Sequence, residues 1–148
     1  MTMINDYLTE GPVNRDIISA ELSKLGNSTD SGGHSVFLGQ VRADISGVKR
    51  VRAIEYTAYG SMVTVEAEKI INEIRSEFSD VKEIRIIHSV GIVKAGEISM
   101  FVLVSAGHRQ QAMEACSKTV ELIKRSFPVW KKEIFEDNTH EWKQENIT

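Results

Sequence analysis

Ile98-Ser99-Met100-Phe101-Val102-Leu103-Val104-Ser105, running into Ala106-Gly107-His108-Arg109, is the stretch that decides the fold class. Ile98 to Ser105 is apolar on both alternating faces, the pattern of a central strand buried on both sides. After the small-residue turn the period changes. Ala112, Cys116, Val120, Ile123 and Phe127 recur at helical spacing, so the strand feeds a helix that Pro128 stops.

Working outward, Val63, Ala67, Ile70, Ile71, Ile74 and Phe78 form a second amphipathic helix. Glu83 to Val90 reads as a strand with Ile84, Ile86, His88 and Val90 on one face, ending at the turn Lys94-Ala95-Gly96-Glu97. Ser35 to Val41 and Val51 to Thr57 are further strands, separated by a polar, basic loop from Asp44 to Lys49. Val129 to Phe135 alternates as a strand, and Asp137-Asn138 turns the chain toward His140–Trp142. Near the start, Ile18, Leu22 and Leu25 share one face of a short helix ending at Gly26. The order α-β-β-α-β-β-α-β-(β) lacks strict βαβ alternation. It predicts an α+β sandwich, a mostly antiparallel sheet with helices packed on one side.

The chain has 148 residues and 41% apolar and 26% charged content, which fits one globular domain spanning 1–148. The turn-forming stretch from Gly26 to Gly33 lies too near the N-terminus to divide two domains. One cysteine excludes an intramolecular disulfide framework, and the four histidines show no zinc spacing, so no metal and no cofactor are expected. The start lacks a basic segment followed by an apolar run, which predicts a soluble cytoplasmic protein. A net charge of −3 and the absence of an aromatic RNA-binding strand disfavour a nucleic-acid-binding module.

Charge is unevenly spread within that total. Between Ser105 and Lys132, Arg109, Lys118, Lys124, Arg125, Lys131 and Lys132 face only Glu114 and Glu121, a local +4. Between Gln40 and Arg52, Arg42, Lys49, Arg50 and Arg52 face only Asp44, a local +3. Two cationic segments in an acidic chain suit an anion site, or else a solvated helix face and loop.

Three places could carry chemistry. The turn before His108-Arg109 offers free N–H groups at a helix start, with Arg109 able to grip phosphate and His108 to donate or move a proton. Lys124 and Lys131 bracket Pro128, where the broken helix lets the chain return and bring both ammonium groups to one pocket. A lysine near other cations loses some preference for its charged form and can shuttle protons. Cys116 belongs to the apolar stripe, and His88 reads as a satisfied, partly buried histidine. Tyr56, Tyr59 and Met62 read as packing residues. Ser105 and His108 lack the context of a hydrolase nucleophile.

Four stretches in order resemble the family of the large, catalytic subunit of molybdopterin synthase. They are Phe37-Leu38-Gly39-Gln40-Val41-Arg42, Ile54-Glu55-Tyr56-Thr57-Ala58-Tyr59-Gly60-Ser61-Met62, Ile87-His88-Ser89-Val90-Gly91 with Gly96-Glu97 and Ser105 to Arg109, and Lys124 through Glu133. The resemblance runs from about Gly32 to Trp142. It implies an α/β hammerhead fold and a sulfurtransferase that inserts two sulfurs into cyclic pyranopterin monophosphate, forming the dithiolene of molybdopterin. Sulfur would arrive as a thiocarboxylate on the C-terminal Gly-Gly tail of a small ubiquitin-like subunit. Two large subunits would form a homodimer inside a heterotetramer.

By position the resemblance makes Lys124 and Lys131 catalytic and places Arg42, His108, Arg109, Phe37 and Glu133 in the substrate pocket. In that scheme Arg42, His108 and Arg109 hold the pterin phosphate. Lys131 positions substrate or thiocarboxylate, and Lys124 shuttles a proton or stabilises charge. The chain departs from the family at Gln40, where many members carry lysine. It departs again at Gly107, which predicts a looser turn before the His-Arg pair. Six residues follow Trp142, and Lys143 is the one basic residue among them. In some family members a longer tail sends an arginine into the neighbouring protomer's site.

Overall fold

Two long helices, α2 (Gly60–Glu77) and α3 (Arg109–Ser126), lie against a mostly antiparallel sheet in the computed structural model, which describes residues 2–26 and 28–143. The remaining elements in chain order are β1 (Thr2–Met3), β2 (Leu8–Glu10), α1 (Arg15–Ser23), β3 (Gly33–Gln40), β4 (Ile45–Ser46), β5 (Lys49–Ala58), β6 (Val81–Lys94), β7 (Ile98–Ala106), β8 (Val129–Phe135) and β9 (His140–Trp142). No helix among the described residues is long and apolar enough to cross a membrane. The sequence reading did not include β1, β2 or β4, which are only two or three residues long.

The sheet branches at β6. Its first half pairs with β7, which in turn pairs with β3. Residues 91–94 pair instead with β5, which carries β8 and then β9. β2 joins β6 in parallel at His88–Val90, the one parallel pair among the described strands. Gly91 makes the change of neighbour possible. It sits at φ +81°, a conformation that strains any residue with a side chain, and a Cβ there would also displace the Glu10 carboxylate, 2.1 Å away. For that reason β6 runs four residues past Val90, where the sequence pattern ended it.

Strand parity separates two cores. Ile84, Ile86, Met100, Val102 and Val104 join Val63, Ala67, Ile70 and Ile74 of α2, and Ala115, Cys116 and Ile123 of α3, in the larger core. Ile87, Phe101 and Leu103 face the other way and pack with Val13 and Ile17. Helices on one side therefore describes α2 and α3, while the short α1 covers the opposite face. β7 is buried along nearly its whole length, as its two-faced apolar pattern requires.

The α1 stripe differs from its sequence reading. Ile17 and Glu21 are buried and Leu22 is 43% exposed. Glu21 accepts from Arg85 Nε at 2.7 Å and from Lys24 Nζ at 2.9 Å. This partly buried ion pair rotates the helix about its axis relative to the purely apolar pattern. Asn14 caps α1 by accepting from the Ile17 N–H at 3.0 Å.

Candidate active site

Pro128 ends α3 as expected, and Phe127 anchors the break in the core with 4% exposure. The chain then returns as β8 alongside β5, with Lys131 opposite Tyr56 and Glu133 opposite Ile54. Because strand side chains alternate, Lys131 and Glu133 face inward and Lys132 faces out. Lys132 pairs with Glu55 at 3.1 Å and lies over the Trp142 ring at 5.3 Å.

Inward, the returning chain closes a cleft of about 360 Å³ at the junction between the two halves of the branched sheet. Phe37 and Arg42 come from the end of β3 and the following loop, Lys124 from the last turn of α3, and Lys131 and Glu133 from β8. The proline-bracketed lysines do share one pocket. Gln40 lines it too.

Electrostatics in the cleft follow from burial and unequal pairing. Among the described residues, neither Lys124 nor Lys131 forms an ion pair with a carboxylate within 4 Å. Burial, reinforced by Lys124 and Lys143, pushes the Lys131 ammonium down to about 8, against a weaker upward pull from Glu133. Glu133 is 7% exposed and lies 3.6 Å from Lys143 Nζ. Arg42 stands at the rim, exposed and 3.4 Å from Asp44.

His88, Tyr56, Ser99 and Lys143 also line the cleft, and the sequence reading did not place them in a site. The His88 ring meets Tyr56 edge-on at 5.1 Å and tilts against Phe127 at 6.3 Å. Its Nδ1 is 2.7 Å from the Ser89 carbonyl, which makes Nδ1 the donor. Burial, together with Lys131 and Lys124, pushes His88 down to about 4, so it is neutral at pH 7. Tyr56 donates to Ser99 Oγ at 3.1 Å, and burial raises its phenol. The available signal was position: two polar rings on core-facing strand positions imply a lined cavity as readily as packing.

His108 and Arg109 are not in this cleft. They begin α3, and Lys124 ends it about 22 Å away at 1.5 Å per residue. Within one chain the expected phosphate grip by Arg42, His108 and Arg109 together does not form, because a rigid helix holds the groups apart. The His108 side chain is 89% exposed, with Nδ1 3.1 Å from Asp80 Oδ2. The same carboxylate oxygen accepts the His108 backbone N–H at 2.7 Å, and the Gly107 N–H donates to the Asp80 carbonyl at 3.1 Å. A Cβ at Gly107 would lie 2.5 Å from Asp80 Oδ1. The glycine thus permits a close clamp in place of the looser turn expected from it.

Several of the other basic residues are engaged elsewhere. Lys118 bonds Glu77 on α2, and Lys49 pairs with Asp137 at 3.6 Å. Arg52 donates to Asn138 at 3.1 Å. Cys116 is buried in the larger core, and burial raises its thiol, so it is not a ready nucleophile. Residues 144–148, most of the tail considered for a contribution to a neighbouring site, lie outside the described residues.

The chain can now be set beside known proteins. It is 38% identical over 133 residues to the molybdopterin synthase catalytic subunit of Drosophila sechellia, covering 89% of this chain and 36% of that one. The chain therefore spans about a third of the length of this relative. It is 39% identical over 124 residues to the subunit of the same name from Taeniopygia guttata, covering 84% and 79%. Molybdopterin synthase from Staphylococcus aureus superposes with a TM-score of 0.82 at 27% identity, over 95% of this chain and 98% of that one. A complex of subunits 1 and 2 of the molybdopterin-converting factor from Helicobacter pylori shares the fold, with a TM-score of 0.78 at 19% identity over 95% and 91%. The family profile described as MoaE protein matches residues 12–126, which include the strand-turn-helix stretch, the rim arginine and the first cleft lysine. The chain belongs to the MoaE protein family.

Proposed function

We propose that this chain is the catalytic subunit of a molybdopterin synthase, a sulfurtransferase acting on cyclic pyranopterin monophosphate. The observation that carries this reading is the cleft in which Lys124 and Lys131 lie, with no carboxylate ion-pair partner among the described residues, beside Arg42 and an apolar wall containing Phe37. Such a cleft suits a flat, anionic pterin and the anionic thiocarboxylate tail of a small ubiquitin-like carrier. The names of the two relatives support the same assignment.

In this scheme Lys124 draws the thiocarboxylate and stabilises charge as sulfur attacks the pterin side chain. Lys131 handles the proton. Its amine, pushed down to about 8, is close enough to neutral pH to give and take one, a role the sequence reading offered to Lys124 as one of two alternatives. Arg42 meets the phosphate at the rim.

His108 and Arg109 enter through a second copy. Among the described residues β3 pairs with β7 alone, so one edge is open, and Val36 and Leu38 on it are 42% and 43% exposed. Antiparallel pairing of two β3 strands about a twofold axis sets the Gly33 end of one beside the Gln40 end of the other. His108 and Arg109 start α3 next to Gly33, where a Cβ would lie 3.1 Å from Arg109 Cα. That pairing carries them toward the second copy's Arg42 and Lys124, and makes the homodimer part of the site.

The test is reconstitution. The protein is incubated with a thiocarboxylated small subunit and cyclic pyranopterin monophosphate, and dithiolene is read after oxidation to its fluorescent pterin. Product from the natural sequence and little from Lys124→Ala is the expected result. No product from a demonstrated complex with a matched small subunit would sink the enzymatic reading and leave a non-catalytic, phosphometabolite-binding subunit.

A further inference from the structure

We propose that Lys143 is a positioning residue for Lys131: its ammonium engages the Glu133 carboxylate and keeps that carboxylate from neutralising the cleft lysine. The inference rests on the proton-handling role given to Lys131 above, although the arrangement itself is independent of any substrate.

The geometry comes from strand register. β9 pairs with β8 so that Trp142 lies opposite Lys132, and the Lys143 N–H donates to the Lys131 carbonyl at 2.9 Å. Lys143 is thus set across from Lys131, and its Nζ reaches diagonally to Glu133 Oε2 at 3.6 Å. Lys131 and Glu133 stand two residues apart on one strand, about 7 Å between Cα atoms, on the same face. A long lysine side chain spans that distance easily.

Glu133 is 7% exposed, and a buried carboxylate requires a cation or hydrogen-bond donors. Among the described residues Lys143 is the cation paired with it. Without Lys143 the nearest replacement on that face is Lys131, which would become a committed ion-pair partner.

Other groups around Lys131 set the background. Lys124 from α3 is a like charge, and His88 from β6 is neutral. Tyr56 on β5 is un-ionised and donates its O–H to Ser99 Oγ. At the rim Arg42 is paired with Asp44. Glu141 lies opposite Glu133 in register and is exposed. Lys143 therefore acts twice on Lys131, directly as a like charge and indirectly by occupying Glu133, and both effects favour the neutral amine. The lowered value of Lys131 agrees with this.

Competitive acetylation of the intact protein by acetic anhydride tests the idea without partner or substrate. The rate at Lys131 is read by mass spectrometry from pH 6 to 10, using fragment ions that separate it from Lys132. Lys143→Met should slow Lys131 acetylation at pH 7.5 about tenfold, the effect of a one-unit rise in its titration midpoint. Lys143→Arg should keep the natural rate. Lys132→Met, on the opposite face, should also leave it unchanged. An unchanged or faster rate in Lys143→Met overturns the proposal.

Should that variant fail to fold by circular dichroism, Glu133→Gln examines the same pair. Lys131 then loses the upward pull of that carboxylate and should acetylate faster, and a slower or unchanged rate is the overturning result. Sulfur transfer by Lys143→Met should show its low-pH limb displaced upward in parallel. If the acetylation result holds and that limb does not move, the error lies in the role given to Lys131.

Discussion

Both ends of α3 carry cationic residues, His108 and Arg109 at the start, Lys124 and Arg125 at the finish, yet their surroundings differ in kind. The starting pair stands in solvent, with His108 held by Asp80 and 89% exposed. At the finishing end Phe127 is buried and the chain folds back, so Lys124 meets Lys131 inside a cleft. Water screens the first pair and is partly excluded from the second. Similar local charge therefore produces an exposed grip at one end and a shifted amine at the other.

The largest effect should come from the enclosed end. Lys131→Ala and Lys124→Ala are each expected to lower sulfur transfer by about 10²–10⁴-fold, the usual contribution of a positioned proton-transfer or charge-stabilising group, measured as dithiolene formed per minute. With Lys131 intact the rate should rise with pH, pass its half-maximum near 8 and level off about one unit higher, as its ammonium is converted to the amine. A rate independent of pH from 6 to 9 would assign the proton to another group.

The exposed end should matter only across the dimer. His108→Ala is expected to weaken substrate binding by about 10–100-fold, the loss of one charged hydrogen bond, seen in KM. Mixing Lys124→Ala with His108→Ala and allowing subunit exchange should recover about a quarter of the natural activity, because random pairing under twofold symmetry leaves one intact site in each mixed dimer. No recovery from dimers shown to be mixed would return both residues to a single-chain role and break the contrast between the ends.

Burial at the enclosed end also has a stability signature. His88 titrates near 4 when folded and near 6.5 when unfolded, so the unfolded chain binds the extra proton between those values. Stability contributed by keeping His88 neutral is whole above 6.5 and lost as pH falls toward 4, a swing of about 3 kcal/mol. Urea denaturation at pH 4.5 and 7 should show most of this loss in the natural protein and a smaller one in His88→Gln. Equal losses would mean that the His88 site takes up water or a counter-charge.

The smallest change is expected on the solvent side of α3. Lys118→Ala breaks surface pairs with Glu73 and Glu77 and should cost less than about 1 kcal/mol in the same denaturation measurement. A loss above about 2 kcal/mol would show that α2 and α3 are joined by more than their apolar faces.

Much of the fold was legible because its long elements repeat a pattern. The stripes of α2 and α3 and the two-faced run of β7 each contain enough residues for the period to declare itself. Short pieces did not. β1, β2 and β4 are too brief to show a period, and α1 was read from Leu22 when the buried ion pair of Glu21 with Arg85 sets its rotation. Of the candidate site, the Lys124–Pro128–Lys131 bracket could be read because a proline break forces the chain to turn. His88, Tyr56 and Lys143 could not be placed there, since sheet pairing brings each of them in from a distant strand.

By itself the sequence determined the fold class and the identity of the charged residues, because hydrophobic period and proline chemistry act within a few residues along the chain. The tertiary structure alone decided which of those charges meet. A rigid helix of 18 residues holds His108 and Arg109 away from the cleft, Gly91 turns β6 from one neighbour to another, and β9 register lays Lys143 across from Lys131. Electrostatic interaction depends on distance and burial, quantities that exist only once the sheet has closed.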